Sequence, residues 1–465
     1  MSAGVFILIL VVAIAALVLM IVKAKMHPVL ALFIAALGTG IALGYGVTGS
    51  VDYISNGFGG TLGSVGITII LGAIISMAIE DTGAAKVIAN FFIKLFRGKR
   101  MELAPALTAF IMSIPVFGDI TMVLTAPIAS MLSKRKHISM STMASFTGLG
   151  LFLTHGLVPP TPGILAIALM FGSDLGMTIV WGLVISFVGF FGTYFLLRKW
   201  TEKEWIEPNP EFVRGMEETD SDSVDDILIK DPGLPHTGEG FLPLLPVLLI
   251  SVSSFAQMYA AEGSAIYTIC TTIGNKVIAL SIGLLYSFYL GYKQRKMVLG
   301  VYADTYNEPK AKLGEVMLNK WVARGLVVCL SPLLITAMGG AFGNVLKNSP
   351  ALEPLSKLIA DSPIPAILVP WAIAAITMTT AGMTAAAIVL PMMPDLGLSS
   401  LAAVLAIGSG TLMGNHYNNS GFWVMGQFFH LNTKQAVKYV TVPCAVASVI
   451  CLIAVVILNA VGVFG

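Results

Sequence analysis

IPVFGDI, residues 114–120, interrupts a long apolar run and decides how the surrounding chain folds. Within residues 103–132, Asp119 is the only ionisable residue. A carboxylate in lipid is costly, and proline and glycine interrupt helices, so a straight lipid-facing helix is a poor description of this run. We therefore predict a helical hairpin that enters and leaves the membrane on one side, with Pro115 and Gly118 at its turn.

The composition of the whole chain indicates a membrane protein. Of its 465 residues, 56% are apolar and 11% are charged, whereas about a quarter of the residues of soluble domains are charged. Apolar segments of about twenty residues, the length that spans a bilayer as a helix, recur along the chain. We predict an all-α polytopic protein of the cell (inner) membrane.

The positions of lysine and arginine predict the orientation, because cytoplasmic loops carry an excess of both. Suppose that the N-terminus is outside and that residues 103–132 and 363–393 are both re-entrant hairpins. The cytoplasmic loops then contain 24 of the 27 Lys and Arg residues, and only Lys276, Lys347 and Lys357 lie elsewhere. We therefore predict two re-entrant hairpins and both termini outside. Glu80 and Asp81 would then form a solvated cytoplasmic helix end.

The two halves of the chain resemble each other in motif order. GAIISMAIEDTGAAKVIA (72–89) is similar to GAFGNVLKNSPALEPLSKLIA (340–360), and Pro127 and His155 have counterparts in Pro391 and His416. A hairpin entered from opposite sides in the two halves predicts inverted-topology repeats. We assign the repeats to residues 1–198 and 241–465, and an acidic, solvated and mobile cytoplasmic linker to residues 199–240.

Three more interruptions accompany IPVFGDI. THGLVPPTPG (154–163) breaks a helix predicted over 140–172, and GNHYNNSGFW (414–423) breaks one over 399–432. ITMTTAGMTAAA (376–387) is the predicted tip of the second hairpin. Non-helical backbone at membrane depth is tolerated where it lines a protein cavity, and free N–H groups at half-helix starts suit an anion. We predict that the four interruptions form one substrate site.

Asp119 is the predicted carrier of a coupling proton, with His155 assisting, because an intramembrane carboxylate is costly unless it has a function. A hydrated hairpin tip, backbone-bonded histidines and threonines that only pack helices are the alternatives. The predicted substrate-binding residues supply hydroxyl, amide, imidazole or backbone groups at the interruptions: Gly118, Thr154, His155, Thr161, Thr377, Thr379, Thr380, Thr384, Asn415, His416, Asn418, Asn419 and Ser420.

Six motifs carry a resemblance to a known family: GFGGTLGSVG (57–66), EDTGAAKVIA (80–89), IPVFGD (114–119), THGLVPPTPG (154–163), SGFW (420–423) and TKQAVK (433–438). In this order they resemble the gluconate permease (GntP) family of the ion transporter superfamily. The resemblance implies uptake of gluconate-like sugar acids or related hydroxy acids, usually coupled to protons. The superfamily implies a homodimer in which a hairpin-bearing transport domain moves as an elevator against a scaffold.

The chain departs from the family pattern at several site positions. Gly118 stands where the family typically has an aromatic residue, Thr161 where it often has a histidine, and Asn419 where it has an aspartate. The second hairpin tip, 376–387, has no arginine, so the bidentate carboxylate clamp of the family is missing. An anion would have to be bound by helix ends, hydroxyls, amides and a protonated His155.

We predict a secondary active importer of a small organic acid, such as a sugar acid or a short hydroxy acid, driven by proton symport. A sodium-coupled carrier of an organic acid or small amino acid, and an ion antiporter without organic substrate, are the alternatives. An enzyme is not expected, because no serine or cysteine nucleophile motif accompanies the histidines. No CxxC or His/Cys cluster indicates a metal, no cofactor or nucleic acid is implied, and the expected partners are the substrate, the bilayer and a second subunit.

Overall fold

The computed structural model describes residues 3–213, 228–230, 233–241, 244–349, 365–377, 382–415 and 419–464, and within them the secondary structure is helical, with no β-strand. The helices are α1 Ala3–Val22, α2 Pro28–Ala42, α3 Gly46–Asp81, α4 Ala84–Phe96, α5 Leu103–Met112, α6 Gly118–Lys136, α7 Met140–Leu157, α8 Pro162–Met170, α9 Leu175–Thr201, α10 Leu245–Tyr259, α11 Ala265–Ile273, α12 Lys276–Lys293, α13 Arg295–Asp304, α14 Trp321–Lys347, α15 Leu368–Thr377, α16 Gly382–Val389, α17 Ser400–Thr411, α18 Ser420–Phe428 and α19 Val442–Ala460. Short helical turns, Thr433–Ala436 and Val437–Thr441 among them, connect some of these helices.

Six helical segments in the described residues are long and apolar enough to cross a membrane. They are Gly4–Ile21, Gly46–Asp81, Met140–Met170, Leu175–Thr201, Leu313–Lys347 and Thr433–Ala460. The bent pair α11 and α12, whose axes differ by 67°, makes a seventh if it is one span. These segments support a polytopic membrane protein.

The glycine-rich stretch around residue 57 is helical, although glycine has a poor helix propensity. α3 begins at Gly46 and contains 36 residues. A side-chain carbon on Gly57 would lie 2.6 Å from Cβ of Asn344, and one on Gly340 would lie 1.9 Å from Oγ1 of Thr61. The glycines therefore let α3 and α14 approach closely. This tertiary contact offsets the poor intrinsic helix propensity of glycine.

Three of the four predicted interruptions, IPVFGDI, THGLVPPTPG and GNHYNNSGFW, coincide with helix breaks. Residues 113–117 separate α5 from α6, and residues 158–161 separate α7 from α8. Residues 412–419, of which 416–418 lie outside the described residues, separate α17 from α18. The hydroxyl of Ser76 on α3 donates a hydrogen bond to the carbonyl of Pro115 (3.0 Å), which satisfies one backbone group left free by the first break. That the hairpins re-enter the membrane stays a prediction.

The C-terminal end of α3 is buried, so the prediction of a solvated helix end is wrong for Asp81. Asp81 is 0% exposed and accepts hydrogen bonds from Nε1 of Trp321 (2.6 Å) and Nη1 of Arg324 (2.7 Å). Nη2 of Arg324 donates to the carboxylate of Glu80 (2.9 Å). Arg324 is 243 residues away from Asp81 in sequence, so the pairing is seen only in the folded chain. This cluster, Glu80–Asp81–Arg324, joins α3 to α14.

The first described residues of the acidic linker are bound to the helices, which differs from the expected mobile segment. The amide of Ile206 donates to the hydroxyl of Ser139 (2.9 Å), and the amide of Met140 donates to the carbonyl of Ile206 (3.0 Å). The carboxylate of Glu204 accepts hydrogen bonds from Nζ of Lys438 and the hydroxyl of Tyr439, both at 2.7 Å. This part of the linker therefore connects the start of α7 to the helical turn before α19.

Candidate functional site

A cavity of about 460 Å³ lies where the broken helices α6, α7, α17 and α18 face α14. It adjoins a second cavity of about 300 Å³, which reaches the starts of α8 and α16. The two cavities share seven lining residues: Phe117, His155, Gly156, Pro332, Ile335, Thr411 and Asn419. Their volumes lie in the range of small-molecule sites, about 300–1,000 Å³. We call the two together the central cavity.

Four helices begin at this central cavity. The lining includes Gly118 of α6, Gly163 of α8, Gly382 of α16, and Asn419, which precedes α18. The first turn of a helix has N–H groups without helical acceptors and the positive end of the helix dipole. Four such ends surround the cavity, and none of its described lining residues has a cationic side chain other than the titratable His155. Helix starts suit an anionic ligand.

The Asp119 side chain lies in the first turn of α6 and is exposed to the central cavity. No hydrogen bond or ion pair joins its carboxylate to another described residue. A carboxylate near a helix start interacts favourably with the dipole, but one without a fixed partner remains available to a proton, a cation or a ligand. The alternative of a tip hydrated at the protein surface is not favoured by its place in a cavity.

Among the described lining residues of the central cavity, His155 is the titratable side chain besides Asp119. Its Nδ1 atom is buried and has no hydrogen-bond partner among the described residues. The alternative was a histidine hydrogen-bonded to the backbone. The Nδ1 atom of His155 makes no such bond to a described residue. Across the same residues, no three His, Cys, Asp or Glu side chains lie together as a metal site requires.

Asn415 and Asn419 bridge the gap between α17 and α18. Nδ2 of Asn419 donates to Oδ1 of Asn415 (2.6 Å), and Oδ1 of Asn419 accepts from the amide of Gly421 (2.9 Å). Asn419 is therefore the N-cap of α18, and its amide group orders the break while it lines the cavity. That these two amides also bind substrate stays a prediction.

Thr154 and Thr161 lie outside the central cavity and fix the neighbouring breaks. Thr154 is 0% exposed, and its hydroxyl donates to the carbonyl of Phe110 (2.8 Å) on α5. The hydroxyl of Thr161 donates to the carbonyl of His155 (2.8 Å) instead of capping α8. After Pro162, which has no N–H, the N–H group of Gly163 at the start of α8 therefore has no side-chain cap among the described residues.

The remaining predicted site residues belong to the second half. Thr379, Thr380, His416 and Asn418 lie outside the described residues, as do the side chains of Thr377, Thr384 and Ser420. Of the predicted set, Gly118, Asp119, His155, Asn415 and Asn419 meet in the central cavity.

The sequence prediction missed the contribution of α14 to the site. Ser331 and Pro332 line the cavity together with Thr411 of α17. Proline inside a helix has no N–H to bond the carbonyl four residues earlier, which here belongs to Val328, another lining residue. A proline in an apolar helix was the signal that could have found this wall.

This chain is similar to known proteins along nearly its whole length. A family model described as GntP family permease matches residues 5–461. A D-serine transporter, DsdX of Escherichia coli O6:H1, is 31% identical over 95% of this chain and 96% of its own length. A gluconate permease of Pseudomonas aeruginosa is 29% identical over 96% of both chains. The structure of the YdaH transporter of Alcanivorax borkumensis superimposes with a TM-score of 0.63 at 12% identity, covering 94% of this chain and 99% of that one.

Proposed function

Since this chain belongs to the GntP permease family, we propose that it imports a small hydroxylated carboxylate, such as a sugar acid or a short hydroxy acid, by proton symport. Membership makes the chain a membrane-spanning permease and not an enzyme, and it confirms the family predicted from the sequence. Gluconate permeases and D-serine transporters are both among its relatives, so a small organic acid is the substrate class.

The observation that carries the proposal is the convergence of four helix starts on a cavity without a cationic side chain among its described lining residues. The free N–H groups at Gly118 and Gly163 would bind the carboxylate. The amides of Asn415 and Asn419 would bind hydroxyl groups, since an amide offers both donors and an acceptor. The cavity thus combines an anion site with neutral polar groups, which matches a hydroxy acid.

Asp119 would carry the coupling proton. An anion bound beside an ionised carboxylate is repelled, so the substrate and a proton occupy the cavity together. When Asp119 is protonated, the loaded site has one negative charge fewer than when the anion binds beside an ionised Asp119. The smaller charge lowers the cost of moving the site through the low-dielectric region. His155 would relay the proton, because its buried Nδ1 has no fixed partner.

The movement would follow the elevator scheme. The inverted repeats 1–198 and 241–465, with hairpins 103–132 and 363–393, would supply a transport domain that slides against α3 and α14. The close glycine contacts between α3 and α14 support their assignment to a rigid scaffold, and the central cavity lies between α14 and the broken helices. A homodimer with both termini outside completes the proposal.

A second candidate is a sodium-coupled or proton-coupled carrier of a small amino acid. The D-serine transporters among the relatives favour it, and so does Asp119, which has no cationic partner among the described residues. In this version the carboxylate of Asp119 would pair with the ammonium group of the substrate, while the helix starts bind its carboxylate.

Uptake by purified protein in liposomes distinguishes these candidates. Gluconate, a short hydroxy acid and D-serine are compared under a proton gradient alone and under a sodium gradient alone. The proposal expects accumulation of a hydroxy acid with the proton gradient only. Accumulation of D-serine but of neither acid would favour the second candidate, and dependence on sodium at constant pH would contradict proton symport.

A further inference from the structure

A separate cavity lies at the far end of α14 from the ion cluster of Glu80, Asp81 and Arg324. It has a volume of about 260 Å³, and its lining includes Lys347, Asn344, Asn56 and Thr61. Lys347 is exposed, and no hydrogen bond or ion pair joins its ammonium group to another described residue. Unlike the central cavity, this one therefore contains a cationic side chain. We call it the outer cavity.

The outer cavity continues the seam that contains the central cavity. α14 lines the central cavity with Thr336 and the outer cavity with Asn344, which are about 12 Å apart along a helix that rises 1.5 Å per residue. α8 likewise contributes Ile167 to the first cavity and Met170 to the second. The two cavities thus lie in succession between the same helices.

The seam is closed between the two cavities. Between the two cavities, a side-chain carbon on Gly339 of α14 would lie 2.5 Å from Cβ of Met383. Beside the outer cavity, one on Gly343 would lie 2.9 Å from Cβ of Ala387. Contacts this short leave no room for a ligand between α14 and α16. The central cavity instead extends along α14 towards Val328 and Ser331, on the side of Arg324. From Arg324 to Lys347 the helix rises about 35 Å, close to the thickness of a bilayer core.

We propose that the outer cavity is an entry subsite that binds the carboxylate of the substrate before the seam between α14 and α16 opens. The inference rests on the proposed transport of a small carboxylate. Lys347 supplies the charge, and the exposed amide of Asn56, which bonds no other described residue, supplies a donor and an acceptor for a hydroxyl group. An ammonium group at the mouth raises the local concentration of anions, and salt screens this effect.

The test compares KM for uptake from the two faces of sealed vesicles of known orientation. Lys347→Gln removes the charge, and Gly60→Leu fills the cavity at a position where no atom lies within 4 Å of the added carbon. Lys347→Gln is expected to raise KM from the Lys347 face about three- to fivefold, the worth of one exposed charge pair of about 1 kcal/mol. Gly60→Leu is expected to raise the same KM by occupying the cavity, and both variants should retain Vmax. KM from the Arg324 face stays unchanged, and the rise caused by Lys347→Gln shrinks as salt is added.

Lys276→Gln is the matched control, because it removes a lysine predicted to lie on the same face whose ammonium donates to the carbonyl of Ser64 (2.9 Å) and does not line the outer cavity. Lys276→Gln is expected to leave KM unchanged. Lys347→Arg keeps the positive charge and is expected to have the KM of the unaltered protein. An unchanged KM in both Lys347→Gln and Gly60→Leu, or an equal rise from both faces, overturns the subsite alone. Failure of the unaltered protein to transport any carboxylate overturns the proposed function as well.

Discussion

Asp81 and Asp119 are carboxylates at helix ends in the same apolar half of the chain, but their surroundings are opposite. Asp81 is fully buried and bound by Arg324 and Trp321 at 2.7 and 2.6 Å. Asp119 faces the central cavity and has no partner among the described residues. A buried charge without a partner is strongly destabilising, so a fixed partner indicates a structural role. An unpartnered carboxylate at a cavity indicates a role with a mobile ligand.

The largest expected effect is the loss of concentrative uptake in Asp119→Asn. Without a titratable carboxylate, the variant cannot couple substrate to the proton gradient, so accumulation against a substrate gradient disappears while exchange persists. Its free energy of unfolding stays within about 0.5 kcal/mol of the unaltered protein, because no fixed contact is lost. Accumulation and counterflow in liposomes measure the two activities, and full accumulation by the variant would contradict the assignment.

The opposite pattern is expected for Asp81→Asn. The change removes the charge of the buried carboxylate from the partly buried Arg324, which keeps Glu80 as a partner, and costs about 2 kcal/mol of stability, the worth of a hydrogen bond to a charged group. KM changes little, since the residue does not line the central cavity. Thermal unfolding in detergent gives the shift, and Asp52→Asn, an exposed position on the same helix, is the control. An unchanged melting temperature would show that the ion cluster does not hold α3 to α14.

The third effect concerns a residue that both orders the helix break and lines the cavity. Asn419→Ala removes the N-cap of α18 and the hydrogen bond to Asn415, which costs about 1 kcal/mol of stability. It also removes a polar group from the site, so KM should rise about tenfold, a binding difference of about 1.4 kcal/mol.

Asn432→Ala supplies the matched control, since Asn432 is the N-cap of the short helix Thr433–Ala436 and lies away from the cavity. Both variants should lose similar stability, but only Asn419→Ala should raise KM. Equal KM values in the two variants would mean that Asn419 caps the helix but does not bind the substrate.

Much of the architecture was predictable because interruptions are local signals. Proline, glycine and clustered amides predicted the breaks at 113–117, 158–161 and 412–419. The start of α3 was not predictable, since Gly57 is helical only because α14 packs against it. Local propensity contains no information about a partner almost 300 residues away.

The site was predictable in part for a related reason. Asp119 and Asn419 stand out because charged and clustered polar residues are costly in an apolar segment. Ser331 and Thr411 line the same cavity, but single hydroxyl residues are common in membrane helices, where they bond their own backbone. The hydroxyl of Thr411 does donate to the carbonyl of Gly408 (2.7 Å). Only the tertiary position separates such a residue from one that packs helices.

Glu204 should show the smallest effect, because it is paired like Asp81 but lies at the surface. Hydrogen bonds from Lys438, Tyr439 and Gln435 lower the pKa of Glu204 from 4.5 to about 2. The ionised form is the one stabilised, so the full contribution to the free energy of unfolding is present above pH 4.5 and is lost as the pH falls towards 2. The side chain is 35% exposed, so solvent screening limits this contribution to about 1 kcal/mol or less.

Thermal unfolding of the unaltered protein and of Glu204→Gln at pH 7, 4.5 and 3 measures this contribution. The difference in melting temperature is expected to be small at pH 7 and to shrink as the pH is lowered below 4.5, because protonation makes the two side chains alike in charge. A difference that grows on acidification would mean that the ionised carboxylate destabilises the folded chain. In that case the pairing with Lys438, and with it the attachment of the linker to the turn before α19, would not stabilise the protein.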